Sequence, residues 1–592
     1  EAGEPAGSGE AGGPAGSLDS SVQAVEATGS LGAIQAAAEA LKAGEIVAVR
    51  GLGGFHLAVD ATNESAVGRL RERKAREAKP LAVMVSSLAE ARELGRVTEA
   101  EEAFFTSPER PIVLIRKLDD SPLAPSVAPG LDTVGVMTAY TPLHHLLLDR
   151  VGRPLVMTSG NQTDEPMATK NQEALERLGG LADLFLLHDR EIVAPCDDSV
   201  VRPTPRGPIF LRRARGYAPL PLELPLAAPK PLVAVGPHLK NTFTLVHGGT
   251  AFVSQHLGDL ENLETLNHFR ESLQAYQRLF RVTPEVAVRD LHPGYLSTRV
   301  ARELGLGEPL AVQHHHAHVA AVAAEHGVTE PVIGLAFDGT GYGDDGAVWG
   351  GEILVANPTG YERAGRLRYA PLPGGDLAAR QPWRAALGYL SLEPDQEASF
   401  REAFRAVPEE EMEAVRQQVD RRLNAPLASS MGRLFDAAAA VLGLRRRSFY
   451  EGQAAMELEA LAAGHVGPEL PFPIREGDQG AFLLDPLPLL VALGEARAAG
   501  QPAPELAAGF HDTVGASAVA AARRVAEDRG IRKVALAGGV FQNARLLDQT
   551  ARGLAAAGLE VLIPRKLSPN DGAISYGQAA VAAAILHGRE GG

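Results

Sequence analysis

PVIGLAFDGTGYGDDGAVWGGEIL, residues 331–354, reads as two apolar strands joined by a glycine-rich turn that carries Asp338. About 100 residues earlier, LVAVGPHLKNTFTLV (232–246) has the same strand–turn–strand grammar, with Lys240 and Asn241 in its turn. Turns of this kind offer backbone N–H groups to phosphate oxygens, which makes both strings candidate nucleotide contacts. A third such signal follows in VALAGGVFQN (534–543). There an apolar strand ends in Gly538 and Gly539 ahead of Asn543 and a helix, and a backbone without side chains can lie close to a nucleotide.

Two hairpins of one pattern in one half of a chain imply a duplicated actin-like ATPase scaffold. Upstream, an amphipathic helix begins near Leu31 and leads into Ile46–Val49 and a turn at Gly51, Gly53 and Gly54. Helices and short apolar strands then alternate to about residue 215, which is α/β grammar. From 218 to 231 the prolines at 219, 221, 225, 229 and 231 interrupt any regular element. The expected organisation is a flexible linker over 1–28, an α/β domain over 29–222 and the duplicated domain over 230–592. Residues 1–20 are nearly all Gly, Ala, Pro, Glu and Ser, and the chain opens on Glu, so further parts are expected upstream.

Composition narrows the function classes. The chain has 592 residues, more than one core usually supports, with 45% apolar and 22% charged residues. It contains no run of about 18 uncharged apolar residues, so no membrane association is expected. A net charge of -16 disfavours a nucleic-acid partner, whose phosphates need a surplus of Lys and Arg. Cys196 is the single cysteine, which excludes intrachain disulfides and cysteine-rich zinc sites and agrees with the cytoplasm.

In the first half, RERKAREAKPLAVMV (71–85) packs Lys74, Arg76 and Lys79 just ahead of an apolar strand. Such cations can converge on a triphosphate, or they form a solvated helix end. TSGNQTDEP (158–166) and DDSVVRP (197–203) place Ser159, Asn161 and Ser199 in loops after apolar strands, where polar groups can meet a ligand without disturbing the core. RRARGYAP (212–219) adds Arg212, Arg213 and Arg215. A basic cluster in an acidic protein points to an anionic ligand.

Metal chemistry is best sought in VQHHHAHVAAVAAEHG (312–327). His314 and His318, four residues apart, share one face of a helix and can hold one cation together. Carboxylates must complete the shell from elsewhere, and Asp338 and Asp571 of SPNDGAISYGQA (568–579) are the best placed. Iron, zinc and manganese suit such donors about equally. Glu451, in EGQAAMELE (451–459), is either a ribose partner, since a carboxylate accepts both hydroxyls of a diol, or an acidic first helical turn.

Taken collinearly, these strings resemble the HypF carbamoyltransferases of [NiFe]-hydrogenase maturation, as do GLGGFHLAVDATN (51–63), YTPLHHLLL (140–148) and DGTGYGDDGAVWGGE (338–352). The resemblance covers about residues 30–590. It implies a YrdC-like domain that joins carbamate, or carbamoyl phosphate after loss of phosphate, to ATP with Mg, giving carbamoyl-AMP. It further implies a metal-bearing domain that passes the carbamoyl group to the C-terminal cysteine of HypE. On it, Lys74, Arg76 and Lys79 hold the ATP phosphates, with Ser159, Asn161, Ser199 and Arg213 completing the pocket. His314, His318 and Asp571 bind the metal with Asp338 beside it, and Gly538, Gly539, Asn543 and Glu451 hold the nucleotide. Family members carry acylphosphatase-like and zinc-finger regions that are not in this sequence, and Pro195 stands where the family pattern leads one to expect Arg. Cys196 is read as a packing residue. Competing readings are an O-carbamoyltransferase, a threonylcarbamoyl-transfer enzyme and a non-enzymatic nucleotide-binding scaffold. The order of the two halves favours the hydrogenase-maturation enzymes, and the retained histidines and cations argue for an enzyme.

Overall fold

The computed structural model describes residues 29–161, 165–477 and 480–590. The linker expected over 1–28, and residues 162–164 of the TSGNQTDEP string, lie outside them.

Strands Val47–Arg50 and Phe55–Asp60 are buried along their whole length, so the sheet is covered on both faces here, with Arg50, His56 and Asp60 buried among apolar residues. They belong to a mixed sheet running from Gly207–Arg212 at one edge through Ile112–Lys117, Thr133–Thr138 and Leu155–Ser159 to Leu184–Leu186 at the other. One face packs on helices Ser30–Lys42 and Pro142–Val151, with Leu41, Leu147 and Val151 in the contact. The other is covered by helix Glu64–Arg73, which starts where the Asn63 side chain accepts a hydrogen bond from the Ala66 N–H. This α/β domain thus carries its loops, and with them Lys74–Lys79, at the sheet ends.

The second half repeats one topology. In its first sheet, Leu232–Ala234 pairs antiparallel with Thr244–His247, which pairs with Thr250–Val253, while Val286–Asp290 and Leu310–Val312 add in parallel on the far side. In its second, Val332–Tyr342 pairs antiparallel with Val348–Asn357, which pairs with Gly360–Leu367, while Lys533–Ala537 and Glu560–Leu562 add in parallel. This duplication is that of an actin-like ATPase scaffold, and both hairpins form, but Asp338 stands inside strand Val332–Tyr342, where the pairing shifts register between Phe337 and Gly341, and not in the connecting turn. One difference is local: inside the proline-rich stretch, Leu222–Glu223 forms a two-residue strand on Thr250–Ala251, so the chain joins the second half's sheet before the prolines end.

Helices His314–Glu325 and Ile574–Glu590 lie together in an alanine-rich core that includes Ala317, Ala321, Ala579 and Ala583. Their crossing is very close: a Cβ on Gly577 would sit 1.9 Å from the Ala317 carbonyl oxygen. Only glycine permits that approach. It brings the turn before one helix, with Asp571, against the first two turns of the other, with His314 and His318.

The halves also touch directly. Arg202 pairs with Glu459 at 2.8 Å, and Asn570 Nδ2 donates to the Leu211 carbonyl at 3.1 Å. Among the described residues no helix is long and apolar enough to cross a membrane.

Candidate active site

His314 and His318 project from successive turns at the start of their helix, which begins where the Gln313 side chain accepts the His316 N–H at 2.8 Å. Asp338 reaches them from strand Val332–Tyr342 and Asp571 from the turn before the last helix. One ligand atom from each of the four lies within 4.8 Å of every other. Asp338 Oδ2 is 3.4 Å from His314 Nε2 and 3.1 Å from His318 Nε2, and Asp571 Oδ1 is 3.7 and 3.6 Å from the same two nitrogens. Ligands around one tetrahedral cation with bonds near 2.1 Å are separated by about 3.4 Å, so this donor set fits a divalent metal. Nitrogen with carboxylate donors is compatible with iron, zinc or manganese.

The surroundings fix the donors. His314 Nδ1 donates to Asp290 Oδ2 at 2.8 Å, which aims the Nε2 edge of the ring at the carboxylates. Asp338 Oδ1 accepts the Gly539 N–H at 3.1 Å. Gly538 makes that possible, since its φ is +96° and a Cβ there would lie 2.2 Å from the Phe337 carbonyl. Burial works against charge throughout, yet Asp290 and Asp571 outweigh it and hold His314 well above its usual range. Burial is likewise outweighed at Asp338, where hydrogen bonds from His314 and His318 hold the carboxyl well below its usual range.

In the first half, Lys74 Nζ donates to Ser159 O, Asn161 O and Asn161 Oδ1, each at 2.7 Å, and Ser159 Oγ donates to the same Oδ1 at 2.7 Å. Arg76 donates to Pro80 O at 2.7 Å and to Thr158 Oγ1 at 3.3 Å. Burial, then the charges of Arg76 and Lys79, lower Lys74 to about 7. Burial, then Arg71 and Arg212, lower Arg76 to about 10. Mutually repelling, part-buried cations are the signature of a pocket completed by an anion. Lys79 stands exposed at its rim.

Other candidates are engaged elsewhere. Ser199 Oγ donates to Arg215 O at 2.9 Å and accepts the Ala214 N–H at 2.8 Å. Arg213 donates to Val253 O, Tyr217 O and Leu220 O, bridging the two halves, while Arg212 is the neighbour whose charge acts on Arg76. Asn241 is fully buried and its Nδ2 closes the turn on Val235 O and Pro237 O, at 2.9 and 2.6 Å. Asn543 caps the following helix through Leu546 N and meets His511 Nε2 at 2.9 Å. Lys240 Nζ and Glu451 Oε2 pair with each other at 2.5 Å, and Glu451 precedes its helix, which begins at Gln453.

Asp290 was not singled out from the sequence as a site residue. Nor was the buried set in which Asp198 pairs with Arg215 at 2.7 Å and with His56 at 3.2 Å behind the basic pocket. Burial pushes the Cys196 thiol up to about 12, with Asp197 and Asp198 adding to it, so it is no nucleophile at neutral pH.

The two pockets adjoin. The Asn570–Leu211 hydrogen bond lies one residue from Asp571 on one side and one from Arg212 on the other. Half-buried His256 is held well below its usual range first by burial and then by Arg212, Lys240 and Lys79, cations of both pockets.

Three family models match the chain. Residues 39–214 match the Sua5/YciO/YrdC family, described as telomere recombination; 227–325 match the HypF Kae1-like domain; and 334–578 match the second subdomain of the carbamoyltransferase Kae1-like domain. A YrdC-type domain followed by a Kae1-like carbamoyltransferase domain defines the class of protein. Carbamoyltransferase HypF2 of Cupriavidus necator is 47% identical over 591 residues, covering 92% of this chain and 72% of that protein. HypF of Rhizobium leguminosarum bv. viciae is 43% identical over 561 residues, with 92% and 71% covered. The crystal structure of full-length HypF in the phosphate- and nucleotide-bound form has a TM-score of 0.90 and 44% identity, with 93% of this chain and 72% of that one covered. The chain belongs to the HypF family of carbamoyltransferases, and its reaction is transfer of a carbamoyl group.

Proposed function

We propose that the first half activates carbamate, or carbamoyl phosphate after loss of its phosphate, as carbamoyl-AMP, and that the second transfers the carbamoyl group to the C-terminal cysteine of HypE. In the first step a carbamate oxygen attacks the α-phosphorus of ATP, and the bond to the β-phosphate oxygen breaks to release pyrophosphate. Lys74, Arg76 and Lys79, with Arg212 behind them, supply positive charge where the departing phosphates gather it. The phosphate- and nucleotide-bound HypF relative supports ATP as the ligand.

In the second step the cysteine thiolate attacks the carbamoyl carbon, the carbon–oxygen bond to AMP breaks, and a thiocarbamate forms while the thiol proton passes to solvent. His314, His318, Asp338 and Asp571 would hold a divalent metal, which when bound supplies Lewis-acid polarisation of the carbamoyl oxygen. Asp290 fixes the imidazole of His314, and the Gly539 N–H fixes Asp338, so these donors need no reorganisation as charge develops. Loss of water from the thiocarbamate gives a thiocyanate, and breaking its sulfur–carbon bond then passes cyanide to the hydrogenase iron and returns the cysteine thiolate.

The observation that carries this reading is the donor set within 4.8 Å lying next to a cation-lined pocket, separated by the Asn570–Leu211 contact. A labile adenylate formed in one pocket would have a short path to the other. The test is incubation of the chain with ATP, Mg, carbamoyl phosphate or carbamate, and purified HypE, followed by mass spectrometry. A carbamoyl increment on the terminal cysteine is expected, and an unmodified cysteine under both donors contradicts the reading.

A further inference from the structure

Helix Met431–Val441 points its N-terminal end at Gly339, in the irregular part of the strand just after Asp338. The Ser430 hydroxyl accepts the Arg433 N–H at 3.0 Å and donates to the Gly339 carbonyl at 2.6 Å. A Cβ on Gly432 would lie 2.8 Å from Gly339 Cα, so the first helical turn is pressed onto the residue next to the metal-site carboxylate. Arg433 is 9% exposed, and its Nη2 comes within 3.9 Å of where a Gly339 Cβ would stand.

What this guanidinium lacks is a partner of its own shape. Its Nε is 2.9 Å from Asp436 Oδ2, but the angles make no hydrogen bond, and both atoms are buried without one. Among the described residues, no hydrogen bond holds either Nη. Burial pushes the Asp436 carboxyl up to about 6, with Arg433 offsetting it only in part. A buried guanidinium so poorly paired is costly unless an anion completes it, and its planar fork matches two oxygens of one phosphate. The N-terminal end of the same helix favours negative charge on that side.

We propose that Arg433 grips the phosphate of the adenylate at the second site, holding the carbamoyl ester beside the metal ligands until AMP departs. The proposal rests on the reading that an adenylate docks at the irregular FDGTG stretch of strand Val332–Tyr342. It makes Arg433 a binding residue for a nucleoside monophosphate, alongside the glycine turns.

The test is calorimetric titration of the full chain with AMP and with adenosine, resolving the two nucleotide pockets. Arg433→Met is expected to weaken AMP at one pocket about 10- to 100-fold, leaving the other pocket and adenosine unchanged. Arg433→Lys keeps a cation beside Asp436 but removes the fork, and is expected to weaken AMP several-fold with the same selectivity, which serves if the Met variant does not fold. Wild-type AMP affinity at both pockets in Arg433→Lys overturns the proposal, as does a parallel loss of AMP and adenosine. Failure of the wild-type chain to modify HypE would count against the transfer reading instead, and leaves the AMP-to-adenosine comparison decisive for Arg433.

Discussion

Asp290 and His314 form a fully buried pair, Nδ1 to Oδ2 at 2.8 Å, and this one hydrogen bond decides which nitrogen of His314 faces the active site. Asp290 sits at the end of a strand of the first sheet, and its Oδ1 accepts the His292 N–H at 2.9 Å, so the carboxylate cannot swing away. The donor set is therefore held by a residue that does not belong to it.

Replacing Asp290 with Asn keeps shape and the His292 contact but removes the charge that orients and enriches the imidazole. Affinity for a divalent metal such as zinc should fall about 10- to 100-fold in a competition titration, with the thermal midpoint little changed. Unchanged affinity would show that the pair is only structural.

Lys74 gives a pH dependence. Its ammonium is lowered to about 7, chiefly by burial, and polyphosphate binding needs it charged. Nucleotide affinity in the first pocket should then drop as pH rises above 7, approaching tenfold per unit, with proton uptake on binding. Calorimetry at several pH values checks this, and a flat profile contradicts it. Stability carries the opposite sign. The unfolded side chain stays protonated up to about 10.5, so the cost of burying the charge is full below pH 7 and is relieved between 7 and 10.5.

Gly577→Ala sets a Cβ 1.9 Å from the Ala317 carbonyl and must push the two central helices apart. A loss of stability of about 1–3 kcal/mol is expected from such overpacking. Metal binding should weaken with it, because Asp571 and the histidines ride on the separated helices. Denaturant unfolding together with metal titration measures both, and wild-type metal affinity in a destabilised variant would show that the crossing does not set the site.

The sequence made the duplicated hairpins and the His314/His318 pair legible, because each rests on local spacing. It could not show that Lys240 and Glu451 pair across 211 positions, or that Asp290 reaches His314 across 24. Ser199, Arg213, Asn241 and Asn543 illustrate the harder limit. A polar side chain in a loop looks the same in sequence whether it meets a ligand or satisfies buried backbone; each of these four makes hydrogen bonds within the protein, while the buried Oδ1 of Asn241 has no hydrogen-bond partner among the described residues. Arg212 and Arg213 are adjacent and chemically identical, and only the path of strand Gly207–Arg212 decides which one lies near Arg76.

The central claim is that activation and transfer occupy separate halves. Its most direct measurement compares His314→Ala with the wild type in two assays, carbamate-dependent exchange of pyrophosphate into ATP and carbamoylation of the HypE terminal cysteine by mass spectrometry. Exchange should remain near wild type while the cysteine stays unmodified. Equal loss of both activities, or a cysteine still carbamoylated, would contradict the division of labour.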